Sequence, residues 1–463
     1  MPAPAEAVAE LGPRFESTLA TFVRDQRLPG AAAGVVVGDR LVWSDGYGFA
    51  DVAARRAPDA HTLYRIASIT KTFTATAVLQ LRDLGRLDLD DPIVAHVPEV
   101  RAAASSFGPI ESVTIRRLLS HESGLVGDPP GTDWTLRRYE GDIAANLARA
   151  AEIGTMVPPN TQQKYSNIGY QLLGEIVARV SGLPYAEYLI ANVLGPLGMA
   201  STAFEPLANE LAERRAVGYD PRWMSDELDE ARPIPSILAE GGLWSCVEDL
   251  ARWIAAHVRE DGGDRGGDQV LSGRTLREMH RPRYLGDETW SEAWCIGWYA
   301  RRKDGVTWVQ HSGGLPGFVT NVCFERTSKV GAIALVNGEG KASDLAMEIG
   351  AIALEAATKA VVPAEPPVRT PEAYRDLLGL YGAADDGLLF RVEWRDGALA
   401  VVDPAEPDWR PTLEPTDRPD RFVVSAGWRE SGEPAIFERR ADGRVVSVTI
   451  GPFSLARFDP VDQ

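Results

Sequence analysis

The hydrophobic positions of this chain change their period several times along its length. Leu11, Phe15, Leu19 and Phe22 share one helical face within residues 4–25, just ahead of Leu28-Pro29-Gly30. Ala33-Gly34-Val35-Val36-Val37 and Arg40-Leu41-Val42-Trp43-Ser44 then read as an antiparallel hairpin turned at Gly38-Asp39. After a glycine-punctuated stretch, Gly46–Asp51, the apolar residues Phe73, Ala77, Leu81 and Leu84 return to helical spacing, and Gly85 closes the run as a C′ glycine. The middle of the chain is mainly helical, with helices expected over 116–120, 142–151 and 170–180, the last stopped by Gly182. A turn through Glu240-Gly241-Gly242-Leu243-Trp244-Ser245 leads into a helix over 247–258, and 259–275 is a polar, glycine-rich surface loop. Strands come back over 307–310, 318–325 and 331–336, followed by an alanine-rich helix over 343–358.

Strands at both ends with helices between them predict an α/β unit, in which one antiparallel sheet flanked by helices is assembled from the two ends of the chain around a helical insertion. The proline-rich run Val361–Pro371 cannot sustain a helix and reads as a semi-rigid linker. Beyond it, short alternating segments are split by turns such as Asp396-Gly397 and Asp442-Gly443, the signature of a small antiparallel barrel or sandwich. The expected organisation is therefore a domain over 1–360, a linker over 361–371 and an all-β domain over 372–463.

Length and composition agree with this. The 463 residues exceed one ordinary domain, and 44% hydrophobic with 25% charged residues is the profile of a globular chain. A net charge of −18 with no basic run argues against nucleic acid and anionic membrane surfaces as partners. The start, Met1-Pro2-Ala3-Pro4-Ala5-Glu6, has neither the basic nor the apolar part of a secretory signal, so a cytoplasmic location is expected. Cys246, Cys295 and Cys323 are too few and too scattered for a disulfide framework or a zinc site, and Cys295 and Cys323 read as small core residues. No metal or cofactor is expected; the expected partner is a small-molecule or peptide substrate, and the oligomeric state stays open.

The chemistry lies in three short pieces. Ser68 and Lys71 fall at the start of the second helical pattern at spacing i, i+3, which places their Cβ atoms roughly 5–6 Å apart. A lysine there can take the serine's proton, and the positive end of the helix favours negative charge nearby: the Ser-x-x-Lys arrangement of an acyl-transfer nucleophile. Tyr165-Ser166-Asn167 precedes the helix expected from Tyr170; if extended, it projects Tyr165 and Asn167 to the same side. Such a tyrosine can relay protons to and from a nucleophile, and the asparagine amide can orient the lysine or a substrate amide. His311-Ser312-Gly313-Gly314-Leu315-Pro316-Gly317 sits at the end of a predicted strand, where open backbone can pair with an extended substrate.

Together these pieces resemble the serine β-lactamase and penicillin-binding-protein superfamily, closest to its class C-like branch of D-aminopeptidases, D,D-peptidase-like enzymes, class-C-like esterases and peptide cyclases. The resemblance spans roughly residues 10–355 and includes Leu118–Leu125, Pro196–Met199 and Gly241–Ser245; the part beyond 372, opening on Leu380-Tyr381-Gly382, is similar to the lipocalin-like β-barrel appended to some members. It implies Ser68 as nucleophile, Lys71 as its base partner, Tyr165 as general acid/base and Asn167 as an orienting group. The backbone N–H groups of Ser68 and Gly314 would form the oxyanion hole, with Ser312, Gly313, Trp244 and, on the last strand, Arg457 as substrate contacts. His311 stands where β-lactamases carry the lysine of Lys-Thr-Gly, which implies a weaker, switchable charge and poor β-lactam hydrolysis. With no second carboxylate base in view, Tyr165 would serve both half-reactions. The implied function is an acyl-enzyme hydrolase of short peptides, amides or small esters; the alternatives are acyl transfer to an amine and a non-catalytic ligand sensor of the same fold.

Overall fold

The computed structural model describes residues 4–133, 142–205, 207–221, 228–230, 238–259, 270–287, 289–360, 370–383, 388–395, 397–403, 411–425 and 431–458. Residues 361–369 of the expected linker and 260–269 of the expected surface loop lie outside them. The chain divides into two compact units, Met1–Val361 and Val362–Gln463.

The first unit is built on an eight-stranded antiparallel sheet. Its strand order is Arg40–Gly48, Gly30–Val37, Val330–Val336, Phe318–Glu325, Val306–Leu315, Tyr299–Lys303, Glu292–Trp294 and Tyr284–Leu285. As the pattern predicts, the two ends of the chain meet inside it: Ala31 pairs with Val336 and Val37 with Val330. All eight residues of Gly30–Val37 are buried, because both faces of the strand are covered and period-2 alternation is lost. Alternate residues feed two cores. Ala32 and Val36 pack with Phe73, Leu79 and Trp253 of the helical insertion. Ala31, Ala33 and Val35 pack with Phe15 and Leu19 of the helix Gly12–Asp25 and Leu345 and Ile349 of the helix Ala342–Ala360. A fully buried Val, Leu or Phe contributes about 1.5–3 kcal/mol, so the sheet is held from both sides.

Two departures from the pattern have plain causes. The helical stretch over 4–25 is two helices, Pro4–Ala9 and Gly12–Asp25. Pro13 has no N–H and its ring would collide with the carbonyl four residues back, so it is accepted only in the first turn of a new helix. The strand expected to stop at Gln310 continues to Leu315, paired with Phe318–Glu325 from Val309 to Leu315. On its other side, Tyr299–Lys303 pairs only with Val306 to Gln310. Among the described strands, His311–Leu315 therefore has one ladder and one open edge.

The second unit is a closed barrel of eight strands in chain order, from Gly379–Ala383 to Phe453–Phe458. Closure is made where Leu380 meets Phe458. Inward side chains such as Leu377, Tyr381, Phe422, Phe437 and Val448 fill it as one core. Cys246, Cys295 and Cys323 are free and buried. Among the described residues no helix is long and apolar enough to cross a membrane.

Candidate active site

Tyr64–Arg65 and Trp244–Ser245 form a short two-stranded ladder, and the chain leaves it through a 3-10 turn, Ala67–Ile69, into the helix Thr70–Asp83. Ser68 therefore lies in the turn ahead of the helix and not in its first α-turn. Ala67 takes φ of +47°, a left-handed conformation whose strain of roughly 1–3 kcal/mol must be held by the surroundings. Three bonds hold it: Ile66 N–H donates to Leu243 O at 3.0 Å, Leu243 N–H to Thr70 Oγ1 at 3.2 Å, and Thr320 Oγ1 to Ile66 O at 3.1 Å. Every residue from Thr70 to Leu81 is buried, and a helix with five polar residues in its first seven can still be a core helix because its hydroxyls are bonded: Thr72 to Ile69 O, Thr74 to Ala239 O and the Tyr185 hydroxyl, and Thr76 to Thr72 O.

Lys71 is fully buried. Its Nζ donates to Ser68 Oγ at 3.0 Å, Asn167 Oδ1 at 2.8 Å and the Glu240 carbonyl at 2.8 Å. The rings of Tyr165 and Tyr170 lie 4.9 and 5.5 Å from the nitrogen. Burial pushes its pKa down to about 7, against the opposing pull of the Glu240 and Asp128 carboxylates.

Tyr165, Ser166 and Asn167 take the shape that their spacing predicts. Ser166 is extended, φ −139° and ψ 111°, so Tyr165 and Asn167 point one way and Ser166 the other. The helix starts at Asn167, three residues before the expected Tyr170, because Ser166 caps it. Ser166 Oγ accepts from Gly169 N–H at 3.0 Å and donates to Val126 O at 2.8 Å. Tyr165 shares a hydrogen bond with Ser68, yet burial holds its phenol above the ordinary tyrosine range. Asn167 Nδ2 donates to Asp128 Oδ1 at 2.7 Å.

His121 holds this loop in place. Its Nδ1 accepts from Ser166 N–H at 3.1 Å, its carbonyl accepts from Lys164 N–H at 2.8 Å, and its ring stacks on Tyr165 at 4.2 Å. His121, Asp128 and the Glu240 carbonyl are site members that the sequence reading does not single out. His121 and Glu240 fall in or beside quoted motifs; Asp128, in a Gly-Asp-Pro-Pro loop, has no periodic signal at all.

The strand Val306–Leu315 supplies the third side. His311 is buried; its Nδ1 donates to the Ser312 carbonyl at 2.7 Å, and since a carbonyl only accepts, the proton is on Nδ1 and Nε2 is an acceptor. Nε2 has no hydrogen-bond partner among the described residues. Burial first, then Lys71, push its pKa down to about 3. A pKa held that low puts any charge on His311 at acid pH. Ser312 bonds the hydroxyl of Tyr299. Gly314 is exposed with open space about its α-carbon, whereas a Cβ on Gly313 would lie 2.1 Å from Ile66 O. Gly313 is therefore the place where the strand closes on the Ser68 turn.

Trp244 and Arg457, the other two expected substrate contacts, each have partners within their own unit. Trp244 is buried, edge-on to Phe318 at 5.5 Å with Arg65 and Arg215 over its rings; it forms the wall behind the Ser68 turn. Arg457 belongs to the barrel, where it donates to the carbonyls of Asp376 at 2.6 Å and Leu378 at 2.9 Å. Those carbonyls precede the first strand and need donors, which accounts for the two terminal nitrogens of the guanidinium. Among the described residues no group of three or more His, Cys, Asp or Glu side chains is arranged to hold a metal ion.

Comparison with known proteins places this geometry in a family. The Beta-lactamase family model matches residues 15–357. Protein flp of Staphylococcus aureus strain N315 is 29% identical over 322 residues, 67% of this chain; the chain spans only 60% of that relative's length. Among solved structures, the octameric penicillin-binding protein homologue from Pyrococcus abyssi is similar at TM-score 0.64 and 25% identity, covering 96% of this chain and 99% of its own. A D-stereospecific amidohydrolase from Streptomyces is similar at TM-score 0.60 and 25% identity, covering 73% of this chain and 98% of its own. With a family match that takes in Ser68, Lys71, Tyr165 and His311 together, this chain belongs to the beta-lactamase family.

Proposed function

We propose that this chain is a serine hydrolase that carries an acyl group on Ser68 and acts on short peptides and amides, D-residue-containing ones included, or on small esters. The observation that carries the reading is the set of three acceptors around Lys71 Nζ. As an ammonium, Lys71 donates to all three. As a neutral amine it keeps two protons and one lone pair. The Glu240 carbonyl cannot donate, and Asn167 presents its oxygen, so the Ser68 hydroxyl is the partner left to give a proton to that lone pair. A pKa pushed down to about 7 keeps the amine form populated at neutral pH.

Lys71 then takes the proton as Ser68 Oγ bonds to the substrate carbonyl carbon, and the carbonyl electron pair moves to oxygen. The N–H groups of Ser68 and Gly314 are the donors for that oxyanion, each worth about 10²–10³ in rate. When the tetrahedral centre collapses, the bond to the leaving group breaks and that group takes a proton from Tyr165, whose raised pKa keeps it a phenol. Lys71 returns its proton toward Tyr165, and water or an amine repeats the sequence on the acyl-enzyme. The neutral His311 supports substrates without a carboxylate at that strand, and the name of the Streptomyces relative supports amides.

The test is to treat the full chain with a fluorophosphonate and locate the adduct by peptide mass spectrometry, with Ser68→Ala as the blank. A screen of D- and L-terminated peptides, acyl esters and a β-lactam, with an amine acceptor present, follows. No adduct on Ser68 sinks the proposal. An adduct without turnover of anything leaves a ligand sensor, and products joined to the amine make the enzyme an acyl transferase.

A further inference from the structure

We propose that Asp128 is a positioning residue that fixes the direction of proton transfer between Ser68 and Lys71. The inference rests on the acyl-enzyme reading above. An asparagine side chain offers an oxygen at one end and an NH₂ at the other, and the two ends have nearly the same shape. Which end faces Lys71 decides what the amine can do. With the oxygen toward Lys71, that contact can only accept, and the lone pair of the neutral amine is left for Ser68. With the NH₂ toward Lys71, the lone pair has a second donor to face, and an amine held that way is turned from the nucleophile.

Asp128 chooses between these ends. Asn167 Nδ2 donates to Asp128 Oδ1 at 2.7 Å while Asn167 Oδ1 accepts from Lys71 at 2.8 Å. A carboxylate cannot accept from the amide oxygen's end, so the flipped amide would place two oxygens against each other. Asn167 is otherwise fixed by its backbone, as the first residue of a helix capped by Ser166, which leaves the side-chain amide as the one part that needs an external lock.

Asp128 also acts through its charge. The groups facing Lys71 are Ser68, Asn167, the carbonyl and carboxylate of Glu240, the rings of Tyr165 and Tyr170, and the neutral imidazoles of His121 and His311. Against desolvation, the carboxylates of Glu240 and Asp128 favour the ammonium, and the same Asp128 charge raises Tyr165. Removing that charge moves both groups in one direction, toward losing their protons at lower pH.

Two variants separate the roles. In Asp128→Asn the new amide oxygen can still accept from Asn167, so orientation is kept and charge is lost; in Asp128→Ala both are lost. The measurement is the rate of fluorophosphonate labelling at Ser68 in the full chain, as a function of pH from acid to alkaline, with thermal melting as a check of folding. Asp128→Asn is expected to keep the plateau rate within a fewfold and to move the ascending limb to lower pH by roughly half a unit or more. Asp128→Ala is expected to lower the plateau roughly tenfold to a hundredfold, the loss that follows removal of a hydrogen bond to a charged group. Wild-type limb and plateau in both variants would overturn the proposal. Equal losses in both with an unmoved limb would also overturn it, by reducing Asp128 to a scaffold residue. Failure of the unmodified chain to label at Ser68 would instead remove the acyl-enzyme reading, and this proposal with it.

Discussion

The Cβ that Gly313 lacks would stand 2.1 Å from the carbonyl oxygen of Ile66. That contact brings the open-edged strand against the turn that holds Ser68, and Thr320 Oγ1 bonds the same oxygen. Gly313→Ala must therefore push the strand off the turn and separate the N–H groups of Gly314 and Ser68. We expect labelling at Ser68 to fall by about 10²-fold or more and the melting free energy by about 1–3 kcal/mol. Gly314→Ala, with nothing within 4 Å of its Cβ, should stay near wild type. The opposite ranking of the two variants would show that this packing does not set the site.

Labelling and turnover should rise with pH through a limb near neutrality. Lys71 must be an amine to accept the Ser68 proton, and its pKa is pushed down to about 7; activity is then present above that pH and lost as pH falls below it. Neither His311, pushed down to about 3, nor His121, held well below its usual value, titrates there. A rate that is flat from acid to alkaline pH would remove Lys71 as the base.

His311→Lys places a cation where a neutral acceptor stands. The variant should shift kcat/KM toward carboxylate-bearing substrates and β-lactams, while His311→Ala should lower kcat/KM most for substrates that donate a hydrogen bond to Nε2. Equal losses across charged and uncharged substrates would leave His311 as part of the strand and no more.

Ser166→Ala removes the cap of the helix Asn167–Ser181 and its bond to Val126. The expected loss is about 1–2 kcal/mol of stability in thermal or denaturant unfolding, with the labelling limb unmoved because no charge changes. An unchanged melting midpoint would mean that the loop is held by His121 alone.

What can be read from the amino acids and what cannot divides along a physical line. Ser68 and Lys71 stand three positions apart at a helix start, and an extended Ser166 sets Tyr165 and Asn167 on one side; both relations are local and survive any tertiary arrangement. The sheet built from both ends of the chain follows from apolar period and is present; the same signals leave a barrel or a sandwich open for the last part, which is a closed barrel. The partners that orient the site are not local. Asp128 is 39 positions from Asn167, His121 is 45 from Ser166, and the Glu240 carbonyl is 169 from Lys71. No periodicity links them. The neutrality of His311 likewise depends on burial, which a strand pattern that stops at Gln310 does not show.

The pairing of Gly30–Val37 with Val330–Val336 has a consequence for how the protein is made. Translation runs from one end, so the first of these strands is synthesised with a wholly apolar-and-glycine sequence and no partner on its inner side. At about 5–20 residues per second, roughly 15–60 s pass before the second strand is made. Through that interval the hairpin has a bare edge, the condition in which strands join foreign chains. The Ser68 turn is in the same position, since Thr320 and Gly313 reach Ile66 only from the late part of the chain. A nascent chain halted before about residue 310 would thus carry Ser68 and Lys71 already synthesised and no assembled site, which ties the site to the late strands Val306–Leu315 and Phe318–Glu325.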